Sequence, residues 1–176
     1  MTATAPLVRL TALLDRIGVE YAVIGAHGVN AWLEPRFTAD IDVTAHIDAE
    51  TTARLRTALA AEGFEVAAVL GDSLPSGPDF VRFASPDRMV VLEIQAAKTD
   101  LQREVIRRAR EISTGVPVAT PEDLIILKLI ADRAKDRQDL LGLIALPDLD
   151  WAHIERWAIE WGVTDRLAAL RSEAPR

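Results

Sequence analysis

Asp40 and Asp42, in the run Thr38-Ala39-Asp40-Ile41-Asp42-Val43, are the residues whose type and spacing point most directly to chemistry. In an extended strand, side chains two apart share a face, so both carboxylates project together while Ile41 and Val43 project the other way. At about 6 to 7 Å and an effective dielectric near 20, two such charges repel by roughly 2 to 3 kcal/mol. A solvent-facing edge pair, or carboxylates bonded to nearby amides, would relieve that repulsion. So would a cation, for which oxygen-ligated Mg2+ is the natural ion. A cation site calls for a third oxygen ligand on a neighbouring strand. Glu93, inside the apolar run Met89-Val90-Val91-Leu92-Glu93-Ile94-Gln95, supplies one, and a carboxylate left unpaired there is costly. Three such acids can hold one or two Mg2+ ions, which would clamp a triphosphate and activate an attacking hydroxyl.

Other residues could serve the same centre. Gly25 and Ala26 follow an apolar run and precede a short helical segment, where small residues let backbone N–H groups approach phosphate oxygens. Neither the Walker pattern nor the dinucleotide fingerprint occurs. Arg36 and Thr38 can offer a charge-assisted bond and a hydroxyl, or be only a surface arginine and a strand-starting threonine. Lys128 stands within an apolar helix and can either snorkel to water or point into a cleft. Asp136 and Asp139, in Lys135-Asp136-Arg137-Gln138-Asp139, read as the start of a helix with Asp136 as its cap. His27 can meet a ligand or bond to backbone, whereas His46 and His153 lack metal-ligand spacing and read as structural. Arg103, Arg107, Arg108 and Arg110 form the one concentrated basic stretch, either a nucleic-acid contact or a solvated helix face.

The elements that must position these residues follow from periodicity. Residues 6–17 read as a helix, 19–24 as the first core strand, and 27–33 as a second helix broken by Pro35. The acidic strand runs over 40–45, a helix over 50–62 ended by Gly63, and a strand over 64–70. A loop over 71–79 leads to a hairpin of 80–84 and 88–95, then a helix over 100–112. After an extended stretch at 116–119, Thr120-Pro121-Glu122-Asp123 opens a nearly all-apolar helix with a capping Thr and Pro at the first helical position. A helix to about 145 and one or two more from Trp151 to about Leu170 complete the chain, with Trp157 and Trp161 on one face. The pattern predicts an α/β fold, a small mixed sheet flanked by helices, with a core over 1–119 and a helical part over 120–176.

Composition bounds the function. The 176 residues fit one domain with a sizeable core, and the formal charge of -7 argues against a protein that coats nucleic acid by net charge. The absence of cysteine rules out disulfides, zinc-thiolate sites and a thiol nucleophile. The N-terminal residues do not read as a signal peptide and no run is long enough to span a bilayer, so the expected compartment is the cytoplasm.

Two blocks together resemble the minimal nucleotidyltransferases of the DNA-polymerase-beta-like superfamily, nearest to the AbiEii-like and MenT-like toxin group. One is Val23-Ile24-Gly25-Ala26 followed by Arg36-Phe37-Thr38-Ala39-Asp40-Ile41-Asp42, with Glu93 as third acid. The other is Thr120-Pro121-Glu122-Asp123-Leu124, Lys128 and Lys135-Asp136-Arg137-Gln138-Asp139-Leu140. The resemblance implies a nucleotidyltransferase-like fold, with metal on Asp40, Asp42 and Glu93 and the triphosphate on Gly25 and Ala26. Arg36, Thr38 and Lys128 would support the nucleotide, and Asp136 and Asp139 would organise the cleft from the helical side. It further implies Mg2+ or Mn2+ as cofactor, an NTP as donor, the tRNA 3' end or another hydroxyl as acceptor, and a cognate toxin or antitoxin as partner. Monomer and homodimer both stay open. Ala26 stands where the family has Gly or Ser, and Glu93 where it more often has Asp, a change that moves the ligand oxygen by about 1.5 Å. A non-catalytic relative that only binds is the competing function.

Overall fold

A computed structural model describes residues 4–71, 74, 76–111 and 115–173. Its elements are α1 (Thr4–Arg16), β1 (Tyr21–Val23), α2 (Gly25–Val29), β2 (Asp40–Ala45), α3 (Ala49–Ala61), β3 (Glu65–Leu70), β4 (Phe80–Ala84) and β5 (Val91–Ala96). Then follow α4 (Asp100–Arg108), β6 (Arg110–Glu111), β7 (Pro117–Val118), α5 (Pro121–Ala131), a 3-10 turn (Ala134–Asp136), α6 (Arg137–Ile144), α7 (Trp151–Glu160) and α8 (Thr164–Glu173).

The strands form one mixed sheet in the order β3-β4-β5-β2-β1-β7-β6. β2 with β5 and β1 with β7 are parallel, and the other neighbours are antiparallel. Alternation along each strand divides the core. Ile41, Val43, Phe83, Leu92 and Ile94 face Leu10, Leu13 and Leu14 of α1 and Leu55 and Leu59 of α3. A second core gathers Ala22 and Ile24 with apolar residues of α2, α4, α5, α6, α7 and α8. Burying one such Leu or Ile side chain contributes about 1.5–3 kcal/mol, which fixes the strand faces firmly. The same alternation turns Asp40, Asp42 and Glu93 away from α1 and α3.

This is the small mixed sheet with flanking helices and a helical C-terminal region that the pattern predicts. The helix ends carry the expected chemistry at Asp48, which accepts from the Thr51 amide at 2.7 Å, and at Thr120, which accepts from the Asp123 amide. Three local expectations are corrected. α2 begins at Gly25 and ends at Val29, because its N-terminal turn is docked on β2 by the Ile24 amide bonding to the Asp42 carbonyl at 2.9 Å. α4 ends at Arg108, since Ala109 adopts an extended backbone and Arg110 enters β6; Ile112 lies outside the described residues. Trp157 is buried while Trp161, at the C-cap of α7, is 39 % exposed, so the two do not share one environment. Part of the loop expected over 71–79, at 72, 73 and 75, also lies outside the described residues. Among the described residues no helix is long and apolar enough to cross a membrane.

Candidate active site

Sheet register builds the first wall of the site. Asp42 is the Cα partner of Glu93 across the parallel β2–β5 pair, and Glu93 is the partner of Arg82 across β5–β4. The row Arg82–Glu93–Asp42 therefore crosses three strands on one face. Neighbouring strands lie about 4.8 Å apart, closer than residues two apart along one strand, so the tighter carboxylate pair is Asp42 with Glu93 rather than with Asp40. Burial pushes the Asp42 carboxyl up to about 6, reinforced by the charges of Glu93 and Asp40 and a hydrogen bond to Glu93, with Arg133 pulling the other way. Arg82 donates to Glu93 Oε1 from Nε at 2.8 Å, and its Nη2 forms an ion pair with the same oxygen at 2.5 Å. Asp40 pairs in register with Val91 at the exposed start of β2. Among the described residues no three His, Asp or Glu side chains converge as metal ligands do. The donors are the hard oxygens that Mg2+ takes, and two of the three are in contact.

The turn after β1 presses on the same acid. Gly25 has φ +61°, and a Cβ added there would lie 2.1 Å from Asp42 Oδ2. Only glycine satisfies both the backbone conformation and the contact. Gly25 and Ala26 line the cleft. His27, which follows them in α2, is buried, and burial holds its pKa below the usual value against the pull of Asp40.

The second wall is helical. Lys128 is only 4 % exposed, so it does not snorkel; its Nζ donates to Asp136 Oδ1 at 2.6 Å and to Asp139 Oδ2 at 2.9 Å. Arg36 grips Asp139 through Nε at 3.2 Å and Nη2 at 2.8 Å, and Arg133 Nε reaches Asp136 Oδ2 at 2.6 Å. The result is a chain of alternating charges, Arg36–Asp139–Lys128–Asp136–Arg133. Burial pushes both carboxyls up, but it is outweighed at Asp136 by Arg133 and Lys128 and at Asp139 by Arg36 and Lys128, so both lie below the usual carboxylate range. Asp136 makes no side-chain capping bond, contrary to the sequence reading, because both its oxygens accept from these cations. Thr38 turns its hydroxyl to the Asp40 carbonyl at 3.4 Å, a weak contact.

The two walls enclose a polar cleft of about 340 Å³. Gly25, Ala26, Arg36, Thr38, Asp40, Asp42, Glu93, Lys128 and Asp136 line it, and Asp139 stands behind, holding Arg36 and Lys128. Arg82, Arg133 and Lys135 line it too and were not singled out from sequence. Arg82 was within reach of a register count: a hairpin pairing Ala84 with Val91 also pairs Arg82 with Glu93. Lys135 appears in the second block without a role of its own, and nothing local marks Arg133; both reach the cleft through the bend after α5.

The basic stretch on α4 is neutralised. Arg103 pairs with Asp100 and Arg107 with Glu104, both at 2.6 Å, while Arg108 lies 3.5 Å from Glu122 and 3.4 Å from Asp123. His153, read as structural from the sequence, is buried with its Nε2 2.7 Å from the fully buried Asp123.

No protein-family model matches this sequence, and no curated protein does so. Solved structures do. An antigenic nucleotidyltransferase-like protein from Paracoccidioides brasiliensis is similar with a TM-score of 0.56 at 18% identity, over 96% of this chain and 91% of that one. The antibiotic-resistance factor ANT(2'')-Ia gives 0.54 at 21%, over 98% and 91%. The lincosamide antibiotic adenylyltransferase LnuA, lincomycin-bound, gives 0.54 at 16%, over 79% and 94%. At these identities the likeness is one of fold: a small mixed sheet flanked by helices with a helical C-terminal region, an α/β nucleotidyltransferase-like fold.

Proposed function

We propose that this chain is a metal-dependent nucleotidyltransferase that moves a nucleoside monophosphate from an NTP to an acceptor hydroxyl and releases pyrophosphate. The observation that carries the reading is Asp42: partly buried, opposite Glu93, with its proton held to about pH 6, in a cleft with cationic groups around it. An acid pair kept under mutual repulsion suits a site completed by a cation. Asp40, Asp42 and Glu93 would hold Mg2+ or Mn2+, which would neutralise the triphosphate and lower the pKa of the attacking hydroxyl.

The remaining roles belong to the chain itself. Gly25 leaves the turn open so that its backbone and that of Ala26 can approach phosphate. Lys135 and Arg133 bring positive charge to the opposite side of the cleft, while Lys128 and Arg36, tied to Asp136 and Asp139, keep the helical wall in register with the sheet. The hydroxyl of Thr38 belongs to the cleft lining, 3.4 Å from the Asp40 carbonyl. At pH 7 and above Asp42 is ionised and able to bind cation.

The toxin-like resemblance suggests the tRNA 3' end as acceptor, with a cognate antitoxin as partner in the cytoplasm. The charge of -7 and the ion pairing of the α4 arginines favour a compact hydroxyl compound instead, as in the ANT(2'')-Ia complex with adenylyl-2''-tobramycin. A second reading, a catalytically impaired binding component of a toxin–antitoxin or phage-defence pair, is favoured by the Arg82–Glu93 contact and by the lack, among the described residues, of three converging acids. The deciding experiment incubates the protein with Mg2+, α-labelled NTPs and either total RNA or small hydroxyl acceptors. Transfer of label that Asp42→Asn abolishes supports the enzyme; transfer that survives Asp42→Asn overturns this site, and none with any acceptor favours the impaired reading.

A further inference from the structure

The cations around the cleft differ in what holds them. Arg36, Lys128 and Arg133 are tied to Asp139 and Asp136, whose side chains are 6 % and 3 % exposed. Removing any of these cations would strip a buried carboxylate of one of its two partners, so they are held in place. Arg82 is different. Its side chain, 45 % exposed, is about as open as those of Arg36 and Arg133, each 50 %, but its partner across β4–β5 is Glu93, 21 % exposed and one of the acids proposed to bind metal. Nε and Nη2 both contact Oε1 of Glu93, and the guanidinium carbon lies 5.6 Å from the Phe80 ring centroid, a soft contact on its outer side.

A divalent ion between Asp42 and Glu93 would set two positive charges beside that guanidinium. Arg82 is the group able to yield, because its one acid partner among the described residues is the partly exposed Glu93, whose charge the ion would take over. The anion that such an ion brings with it, a nucleotide phosphate, lies in the same cleft that Arg82 lines. A planar guanidinium suits a carboxylate and a phosphate equally well.

We propose, resting on the nucleotidyltransferase reading of this site, that Arg82 is an exchangeable counter-ion: it neutralises Glu93 in the cation-free protein and turns to the nucleotide phosphates when a divalent ion takes its place. Arg82 is thus a phosphate-binding residue in the loaded state and a competitor of metal in the empty one. Metal and nucleotide then help one another to bind, since each relieves the state that excludes the other.

The test titrates Mn2+ alone, followed by electron paramagnetic resonance of the free ion, into the wild type, Arg82→Ala, Arg82→Lys and Asp42→Asn. The titrations are repeated with a non-hydrolysable NTP analogue. Arg82→Ala is expected to bind Mn2+ alone about tenfold more tightly, as the loss of one partly screened positive charge implies. Its gain in Mn2+ affinity on adding the analogue should shrink by a similar factor, with Arg82→Lys between it and wild type. Mn2+ affinity that is unchanged or weaker in Arg82→Ala overturns the proposal, because a merely structural arginine leaves the metal indifferent or loosens its ligand. Arg82→Gln, which keeps most of the stem, carries the same comparison if alanine perturbs β4. Mn2+ binding absent from every variant, or intact in Asp42→Asn, overturns the metal-site reading itself, a failure separable from that of Arg82.

Discussion

The two walls of the cleft use the same residue types to opposite ends. On the sheet, Asp42 and Glu93 are forced together by strand register, and burial and repulsion raise the Asp42 carboxyl to about 6. On the helical side, Asp136 and Asp139 are more deeply buried, yet Lys128, Arg133 and Arg36 hold both below the usual carboxylate range. The difference is the count of nearby cations. Asp136 and Asp139 have three between them, whereas the sheet pair has the half-exposed Arg82 and the more distant pull of Arg133. Charge satisfied within the protein makes a scaffold, and charge left unsatisfied at the cleft makes a place for a ligand.

Substituting one acid of the sheet wall should break the contrast most sharply. Asp42→Asn is expected to lower nucleotidyl transfer by about a thousandfold or more, since it removes a ligand and a charge where the reaction develops charge. It should leave the fold intact, and melting curves beside the labelling assay would show it. A variant that loses both stability and activity would mean that the acid pair is a structural feature.

Removing the central cation of the helical wall should do the reverse. Lys128→Met leaves Asp136 and Asp139 buried without their shared partner, and is expected to cost about 3–5 kcal/mol in urea denaturation. A cost near zero would put Lys128 among the ligand-binding groups rather than the scaffold.

The walls should also answer pH with opposite signs. Asp42 binds its proton more tightly folded than unfolded, so between about pH 4 and 6 the folded form holds more protons, and stability falls as pH rises through that window. The effect is about 2–3 kcal/mol, read as the difference between wild type and Asp42→Asn in denaturant midpoints at pH 4 and 7. Asp136 and Asp139 bind theirs less tightly, so their contribution is full above the unfolded carboxylate value near 4 and is lost as pH falls below it.

Gly25→Ala is the smallest change and couples the turn to the sheet wall. Alanine at φ +61°, with its Cβ 2.1 Å from Asp42 Oδ2, should cost about 1–3 kcal/mol and displace the carboxylate. Activity that falls further than stability would sharpen the comparison, by showing that the position of Asp42, and not its charge alone, matters.

Much of this was readable in the chain. The alternation Asp40-Ile41-Asp42-Val43 settles which face the acids take, because Ile41 and Val43 have only one core to enter. Thr120-Pro121 starts α5 where a capping Thr and an N1 proline must, and the glycine after β1 marks the turn. Less readable were the helix ends: α4 stops at Arg108 because the chain is drawn into β6, a pairing no local propensity encodes. The fate of the charges was hidden as well. Arg36 reads as a phosphate ligand or a surface arginine from its motif, and nothing near it in sequence shows that Asp139, 103 residues away, takes its Nε and Nη2.

Sequence alone determined the residue types on each face of each element, since hydrophobic periodicity acts over a few residues and tolerates no slip. Tertiary structure decided which acid meets which cation wherever the partners lie beyond one hairpin or one helical turn. Pairing depends on strand register and on helix positions set by contacts distant in sequence. It places Glu93 against Asp42 and Arg82, and Lys128 between Asp136 and Asp139, so that the two acid pairs end with opposite protonation behaviour.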